Sequence, residues 1–276
     1  MIVEEFMTSP VVVVSPGESL ARVRNLMIRY GIGRLVVVDE YEKPIGIITK
    51  TDIAEAVASA PRKELDQFRV DEVMTREPIT ISVGSSVREA ARILLEKNIG
   101  GLPVVDRGGR LVGIITKTDL VKAYLRRKQR EHKVSEYMYT DVPVVSPTHS
   151  VNYVAELIVQ TPAKRVLVVD SGKLVGIIAP SDLAFASGLV ATRRSKKLKR
   201  RFVELEKGRL GPVYSYLITI AADVMTPNPI SLERDQYLSD AALLMLNNSI
   251  SSIPVVDSGE PLGVVTKHSI LAALIG

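Results

Sequence analysis

Three aspartates recur at one spacing in a chain of 276 residues: Asp52, Asp119 and Asp182 each close a run of the form Gly-Ile-Ile-x-x-x-Asp. The runs are Gly46 to Asp52, Gly113 to Asp119 and Gly176 to Asp182, and a fourth, Gly263 to Ser269, ends in serine. An apolar stretch that passes into a Thr-x-x-Asp tetrapeptide reads as a buried strand feeding a helix start. Two readings follow. In one, the threonine and the acid form a near capping box, a structural device contributing about 1 kcal/mol to its helix. In the other, the carboxylate accepts from the two hydroxyls of a ribose, while the threonine hydroxyl and the helix-start amides donate to phosphate. Charge-assisted hydrogen bonds of this kind contribute about 1.5–3 kcal/mol each. A few of them with a buried base reach micromolar binding, near −8 kcal/mol.

The copies are unequal. Thr49-Lys50-Thr51-Asp52 and Thr116-Lys117-Thr118-Asp119 are complete, Ala179-Pro180-Ser181-Asp182 keeps the acid, and Thr266-Lys267-His268-Ser269 keeps the hydroxyl. A serine cannot offer a ribose diol a bidentate acceptor, so the fourth copy is expected to be empty or to hold phosphate alone. Lys50 and Lys117 flank the acids; they count here with the phosphate and base contacts, beside a reading as solvated helix lysines.

The elements that position these residues are clearest in the second copy. A short strand over 79–82 precedes an amphipathic helix with Val87, Ala90, Ala91, Leu94 and Leu95 on one face. Asn98-Ile99-Gly100-Gly101 ends that helix. Leu102–Val105 and Leu111–Ile115 form a hairpin around Arg107-Gly108-Gly109-Arg110, and Thr116 opens a helix running to about Tyr124. The same order begins again at Val3, Val134 and Ala222. The fold class is therefore α/β (α+β), built of four β-α-β-β-α units. A sheet of this size has one face left to cover, so the units pair, first with second and third with fourth. The expected boundaries are a first pair over 1–128 (repeats 3–57 and 70–125) and a second over 134–276 (repeats 134–187 and 222–276), with an insert at 188–220.

Met7-Thr8, Met74-Thr75 and Met225-Thr226 at the repeat starts, Val-Asp at 38–39, 105–106, 169–170 and 256–257, and the Gly-Ile-Ile-Thr-x-x-Asp ends together resemble cystathionine β-synthase (CBS) domains. Four such repeats in one chain are similar to the gamma subunit of AMP-activated protein kinase and its archaeal relatives. The resemblance covers nearly the whole chain outside the insert. It implies two tandem CBS pairs, and clefts that hold an adenine nucleotide (AMP, ADP or ATP) as a regulatory ligand. Asp52, Asp119 and Asp182 would hold ribose, and Thr49, Thr51, Thr116, Thr118 and Ser181 would lie near phosphate. In such a pair each cleft is shared, so Asp119 would face Gly33 and Arg34. Asp52 would face Thr75, Thr80, Gly100 and Gly101. Asp182 would face Thr226, Ser251 and Ser252, and Ser269 would combine with Lys164 and Arg165. Arg34 and Arg165 suit planar phosphate contact, although an arginine before a buried strand can also simply snorkel to solvent.

No catalytic constellation competes with this reading. The three histidines, His132, His149 and His268, lack metal-ligand spacing, so no metal site and no cofactor are expected. No nucleophile elbow, P-loop or dinucleotide fingerprint is present, and the reading is not an enzyme. With no cysteine, thiol chemistry and disulfides are excluded. Without a signal-like or membrane-length apolar run, a cytoplasmic protein with no membrane association is expected. The net charge of +5 is uneven, since Arg193 to Arg201 carries seven positive charges in nine residues. That insert is read as a basic helix with Leu198, Phe202 and Leu205 on one side, followed by an extended return over 213–220. It leaves nucleic-acid binding as an alternative function. The other alternative is a sensor of S-adenosylmethionine or another adenosyl ligand, for which the ribose clamp would be the same. A nucleotide sensor implies a protein partner (a kinase, an enzyme or a transporter), and the CBS pairs are compatible with a homodimer.

Overall fold

Each repeat builds one small sheet because its short apolar runs are rich in valine and isoleucine, which fit a pleated, half-buried surface. The computed structural model describes all residues except 61, 128–130, 184–200, 206–208 and 214–218, and only the backbone of 201–205 and 209–213. Repeat 1 runs from β1 (Val13–Val14) to α1 (Leu20–Tyr30), then β2 (Arg34–Val38), β3 (Pro44–Thr49) and α2 (Lys50–Ser59). Ser19 caps α1 by accepting from the Arg22 amide, and Gly31, at φ 64°, ends it in the left-handed region. Repeat 2 contributes α3 (Val70–Val73), β4 (Thr75–Arg76), β5 (Ile81–Ser82), α4 (Val87–Glu96), β6 (Gly101–Val105), β7 (Leu111–Thr116) and α5 (Lys117–Arg127). The apolar periodicity of α4 is realised: Val87, Ala90, Ala91 and Leu94 are buried.

Repeat 3 consists of α6 (Val134–Tyr137), β8 (Val144–Val145), α7 (Val151–Gln160), β9 (Val166–Asp170), β10 (Lys173–Ile178) and a helix, α8, described over 180–183. Within the insert, β11 (Arg201–Leu205) pairs antiparallel with β12 (Arg209–Val213). Phe202 and Leu205 thus lie on a strand, which corrects the helical reading; Leu198 falls outside the described residues. Arg-Phe-Val-Glu-Leu is a β-favouring run, and a glycine, Gly208, stands just before β12. These hairpin signals outweigh an apolar spacing that also fits a helix. Of the basic run, only the backbone of Arg201 is described. Repeat 4 adds α9 (Ala221–Val224), β13 (Thr226–Pro227), β14 (Leu232–Glu233), α10 (Leu238–Asn247), β15 (Ser252–Asp257), β16 (Glu260–Thr266) and α11 (Lys267–Ile275).

In each of the four repeat sheets the first strand is parallel to the second, and the second and third form an antiparallel hairpin. The edges are exchanged. The Met-Thr segment opening repeat 2 pairs with the repeat 1 sheet, Thr75 beside Ile47 and Arg76 beside Gly46. Thr8 of repeat 1 returns the pairing, donating to the Ile114 carbonyl at 2.9 Å and accepting from its amide at 3.1 Å. The second pair does the same, with Thr226 beside Ile177 and Tyr139 bonded to Val264 in both directions at 2.8 and 2.9 Å. The chain is therefore two tandem pairs, each interlocked by its own repeat starts.

A glycine marks each exchange. A Cβ on Gly46, Gly113 or Gly176 would overlap the side chain of Met74, Met7 or Met225, and one on Gly263 would overlap the Tyr139 carbonyl oxygen. The described chain divides into two compact units: one of residues 1–132, 237–250 and 267–276, the other of 133–236 and 251–266. In the first, α11 packs on α4 and α5, and α10 on α5. Leu120, Val121 and Tyr124 of α5 and Ile270, Leu271 and Leu274 of α11 are fully buried there. Each such apolar side chain contributes about 1.5–3 kcal/mol.

The glycines should differ in tolerance. Methionine is flexible and can yield, whereas the Tyr139 backbone is held by two hydrogen bonds. Gly263→Ala is expected to destabilise by about 1–3 kcal/mol, more than Gly113→Ala. Denaturant midpoints of the two variants check the order, and a larger loss for Gly113→Ala contradicts it.

Candidate functional site

The structure shows the capping role of the aspartates and leaves one carboxylate oxygen outside it. The Thr49 amide and hydroxyl both donate to Asp52 Oδ2 at 2.7 Å. The Thr116 amide and hydroxyl donate to Asp119 Oδ2 at 3.0 and 2.7 Å. In repeat 3, where the hydroxyl is missing, the Ala179 amide alone donates to Asp182 Oδ2 at 2.7 Å. One carboxylate oxygen thus holds the turn from strand to helix, and Oδ1 is left over for another partner. At Asp119 that second oxygen takes the Lys122 ammonium at 3.2 Å. Asp119 is only 4 % exposed, while Asp52 and Asp182 are half-buried.

The first helix amides are also used locally, Lys50 donating to the Gly33 carbonyl at 3.2 Å and Lys117 to that of Gly100 at 3.4 Å. The next amides, on Thr51 and Thr118, have no intrahelical acceptor by helix geometry. Thr51 and Ser181 are exposed and Thr118 is half-buried.

Around Asp119 the first unit gathers cations. Arg34, at the start of β2, lies across the backbone of Gly100 and Gly101, where a Cβ on Gly100 would overlap the guanidinium and one on Gly101 would come within 2.8 Å of Nη1. Burial lowers the Arg34 pKa, and the Asp119 charge opposes that shift. Lys117 Nζ lies 2.7 Å from His268 Nε2. Lys267 donates to the Thr118 hydroxyl at 2.9 Å. Burial lowers the Lys117 pKa to about 8, helped by Arg34. Burial also lowers that of Lys267, with Asp119 opposing. The starts of α5 and α11, each a positive dipole end, therefore meet beside three half-buried cations, an arrangement suited to an anion.

The second unit is quieter. Arg165, at the start of β9, donates from Nε to Ser252 Oγ at 2.7 Å, from Nη2 to Ser251 Oγ at 2.8 Å and from Nη1 to the Lys164 carbonyl at 2.7 Å. Burial lowers its pKa, opposed by Asp182. The Lys164 ammonium donates to the Val159 carbonyl at 2.7 Å, which ties it to the end of α7. The Tyr139 phenol, at the register position of Thr8, Thr75 and Thr226, shares a hydrogen bond with the side chain of Thr266.

Of the residues singled out from the sequence, the structure brings Arg34, Gly100, Gly101, Lys117 and Asp119 together, and separately Arg165, Ser251, Ser252 and Asp182. Thr75 and Thr226 lie on the exchanged edge strands. Thr80 and Lys50 are exposed. Lys267 and His268 were overlooked, although Lys267 stands where Lys50 and Lys117 stand in their repeats. His149 Nδ1 accepts from the Ser146 amide at 2.8 Å, and His132 Nδ1 lies 3.2 Å from the Tyr124 hydroxyl. Among the described residues, no His, Asp and Glu cluster could hold a metal ion, and no helix is long and apolar enough to cross a membrane. A cavity of about 600 Å³ lined by Met1, Ser86, Val87, Arg88, Arg126 and Arg127 includes none of these candidates.

The CBS domain family matches residues 3–59, 70–126, 134–188 and 221–276, and the chain belongs to that family. It is 26 % identical over 275 residues to the uncharacterised protein MJ1225 of Methanocaldococcus jannaschii, covering 95 % of this chain and 94 % of that one. The crystal structure of MJ1225, described as a candidate archaeal homologue of γ-AMPK, superposes with a TM-score of 0.76 at 24 % identity, over 99 % of this chain and 100 % of that one. An uncharacterised conserved protein from Pyrococcus horikoshii gives 0.68 at 22 %, over 99 % and 100 %. These two likenesses concern the fold.

The lowered Lys117 pKa gives a pH signature. Below about pH 8 the side chain is charged and attracts an anion; above it the charge is lost. The affinity of the first unit for a phosphate-bearing ligand is expected to fall as pH rises from 7 to 9, and Lys117→Gln to flatten that dependence. Titrations at both pH values check this, and an unchanged slope in Lys117→Gln contradicts it.

Proposed function

We propose that the chain is a regulatory protein that senses adenine nucleotides in the clefts of its CBS pairs and reports their level to a partner. The observation that carries the reading is the meeting of two helix starts with Arg34, Lys117 and Lys267 beside the carboxylate of Asp119. Its parts correspond to the parts of a nucleotide: a carboxylate oxygen for the ribose hydroxyls, and cations for the phosphates. Lys122, whose side chain is 56 % exposed, must leave Asp119 Oδ1 when ribose arrives. An ion pair of that kind contributes about 0–1 kcal/mol, less than the hydrogen bonds that replace it.

AMP, ADP and ATP would compete, distinguished by how many of the three cations their phosphates engage. Regulation then needs only that one nucleotide binds one arrangement of the chain better than another and shifts the population towards it. The family likeness of every repeat supports a binding module in place of a catalyst.

Calorimetry with AMP and ATP on the wild type, Asp119→Asn and Lys267→Gln tests the reading. Asp119→Asn is expected to weaken both ligands about tenfold or more, and Lys267→Gln to weaken ATP more than AMP. A wild type that binds neither nucleotide, or variants that bind as it does, would falsify the reading.

A further inference from the structure

The two pairs treat the same guanidinium in opposite ways. Arg34 and Arg165 open equivalent strands, β2 and β9, and each lies against the dipeptide at the start of the equivalent strand, β6 or β15, in the other repeat of its pair. In the first unit those residues are Gly100-Gly101, which offer no side-chain acceptor, so Arg34 lies along bare backbone and feels the opposite charge of Asp119. In the second they are Ser251-Ser252, and both hydroxyls accept a hydrogen bond from Arg165 while the Lys164 carbonyl accepts a third. A guanidinium has five N–H groups in a rigid fork, so most of the fork is committed there.

The junctions diverge the same way. Thr49-Lys50 of repeat 1 is answered in repeat 3 by Ala179-Pro180, which has neither a hydroxyl nor an ammonium, and proline lacks even the amide proton, whereas Thr116-Lys117 of repeat 2 has its counterpart in Thr266-Lys267 of repeat 4. Lys164, the next cation, is held on the Val159 carbonyl. What the second unit retains is Asp182, half-buried, with Oδ2 on the Ala179 amide.

We propose that the dipeptide at this strand start sets phosphate selectivity: Gly100-Gly101 leaves Arg34 to a phosphorylated adenosine in the first unit, and Ser251-Ser252 withholds Arg165 so that the second unit takes an adenosyl ligand without a phosphate chain. One chain then reads two chemically different adenosyl ligands. The proposal rests on the adenosyl reading above and adds which unit takes which class.

Exchanging the dipeptides tests it, with ATP and adenosine as calorimetric probes on the full chain. In the wild type, adenosine is expected to bind even when ATP is saturating. Ser251→Gly with Ser252→Gly should release Arg165 and raise ATP uptake in the second unit, seen as an added equivalent or an affinity higher by about tenfold. Gly100→Ser with Gly101→Ser should displace Arg34 and weaken ATP about tenfold while leaving adenosine unchanged. The glycine exchange only removes two hydroxymethyl groups, so it decides the matter even where the serine variant fails to fold. Saturating ATP that abolishes adenosine binding overturns the split, as does a glycine exchange that leaves ATP uptake as it was. A wild type that binds neither probe removes the adenosyl reading itself, and the split with it.

Discussion

The start of every repeat leaves its own sheet and completes an edge of its neighbour's. A two-residue strand has little stability alone, and a three-stranded sheet has an unpaired edge that must be covered. Exchanging Thr75–Arg76 for the Thr8 bridge, and Thr226–Pro227 for the Tyr139 bridge, meets both needs at once. The exchange also imposes the glycine at 46, 113, 176 and 263, because the incoming segment lies where a side chain would stand. By locking each pair in register, it fixes which strand start faces which: Arg34 over Gly100 and Gly101, and Arg165 against Ser251 and Ser252.

On that frame each of the three aspartates commits one oxygen and leaves the other outside the turn. Oδ2 is spent locally on the turn into the helix, as in any cap, and this explains why Asp182 persists although its threonine partner has become Ala179. The structural and the ligand-binding readings are therefore not rivals, because a carboxylate has enough lone pairs for both. The cations are different in kind. Half-buried Lys117 and Lys267, on two helix starts, and Arg34, on a strand start, repel one another, and burial adds to the cost of keeping them charged, in line with the lowered pKa of Lys117. Such an arrangement is stabilised when an anion joins it.

Much of this was visible in residue order. The apolar faces of α4 and the valine-rich hairpins are periodic enough to read directly, and four copies of one motif outweigh the ambiguity of any single copy. Arg34 was recognisable as a phosphate candidate, but its place across Gly100 and Gly101 was not, since the two lie 66 residues apart in the numbering and meet through sheet pairing. Lys267 and His268 are not marked by the sequence, because the fourth copy ends in Ser269 and lacks the carboxylate of the others. Their contacts are with Lys117 and Thr118 of another repeat. Leu198, Phe202 and Leu205 fit a helical period, and only the pairing of 201–205 with 209–213 separates strand from helix there.

Local patterning alone is sufficient for the four-unit organisation, the strand-to-helix junctions and the graded loss of the aspartate motif, because each depends on residues within a few positions of one another. Which arginine is free and which is tied, and where the lysines gather, follows from contacts between residues far apart in the chain. Gly100-Gly101 and Ser251-Ser252 look alike as small, polar-compatible strand starts until a guanidinium from the neighbouring repeat is laid against them. Only then does the presence or absence of two hydroxyl groups decide whether the N–H donors of that guanidinium are already engaged.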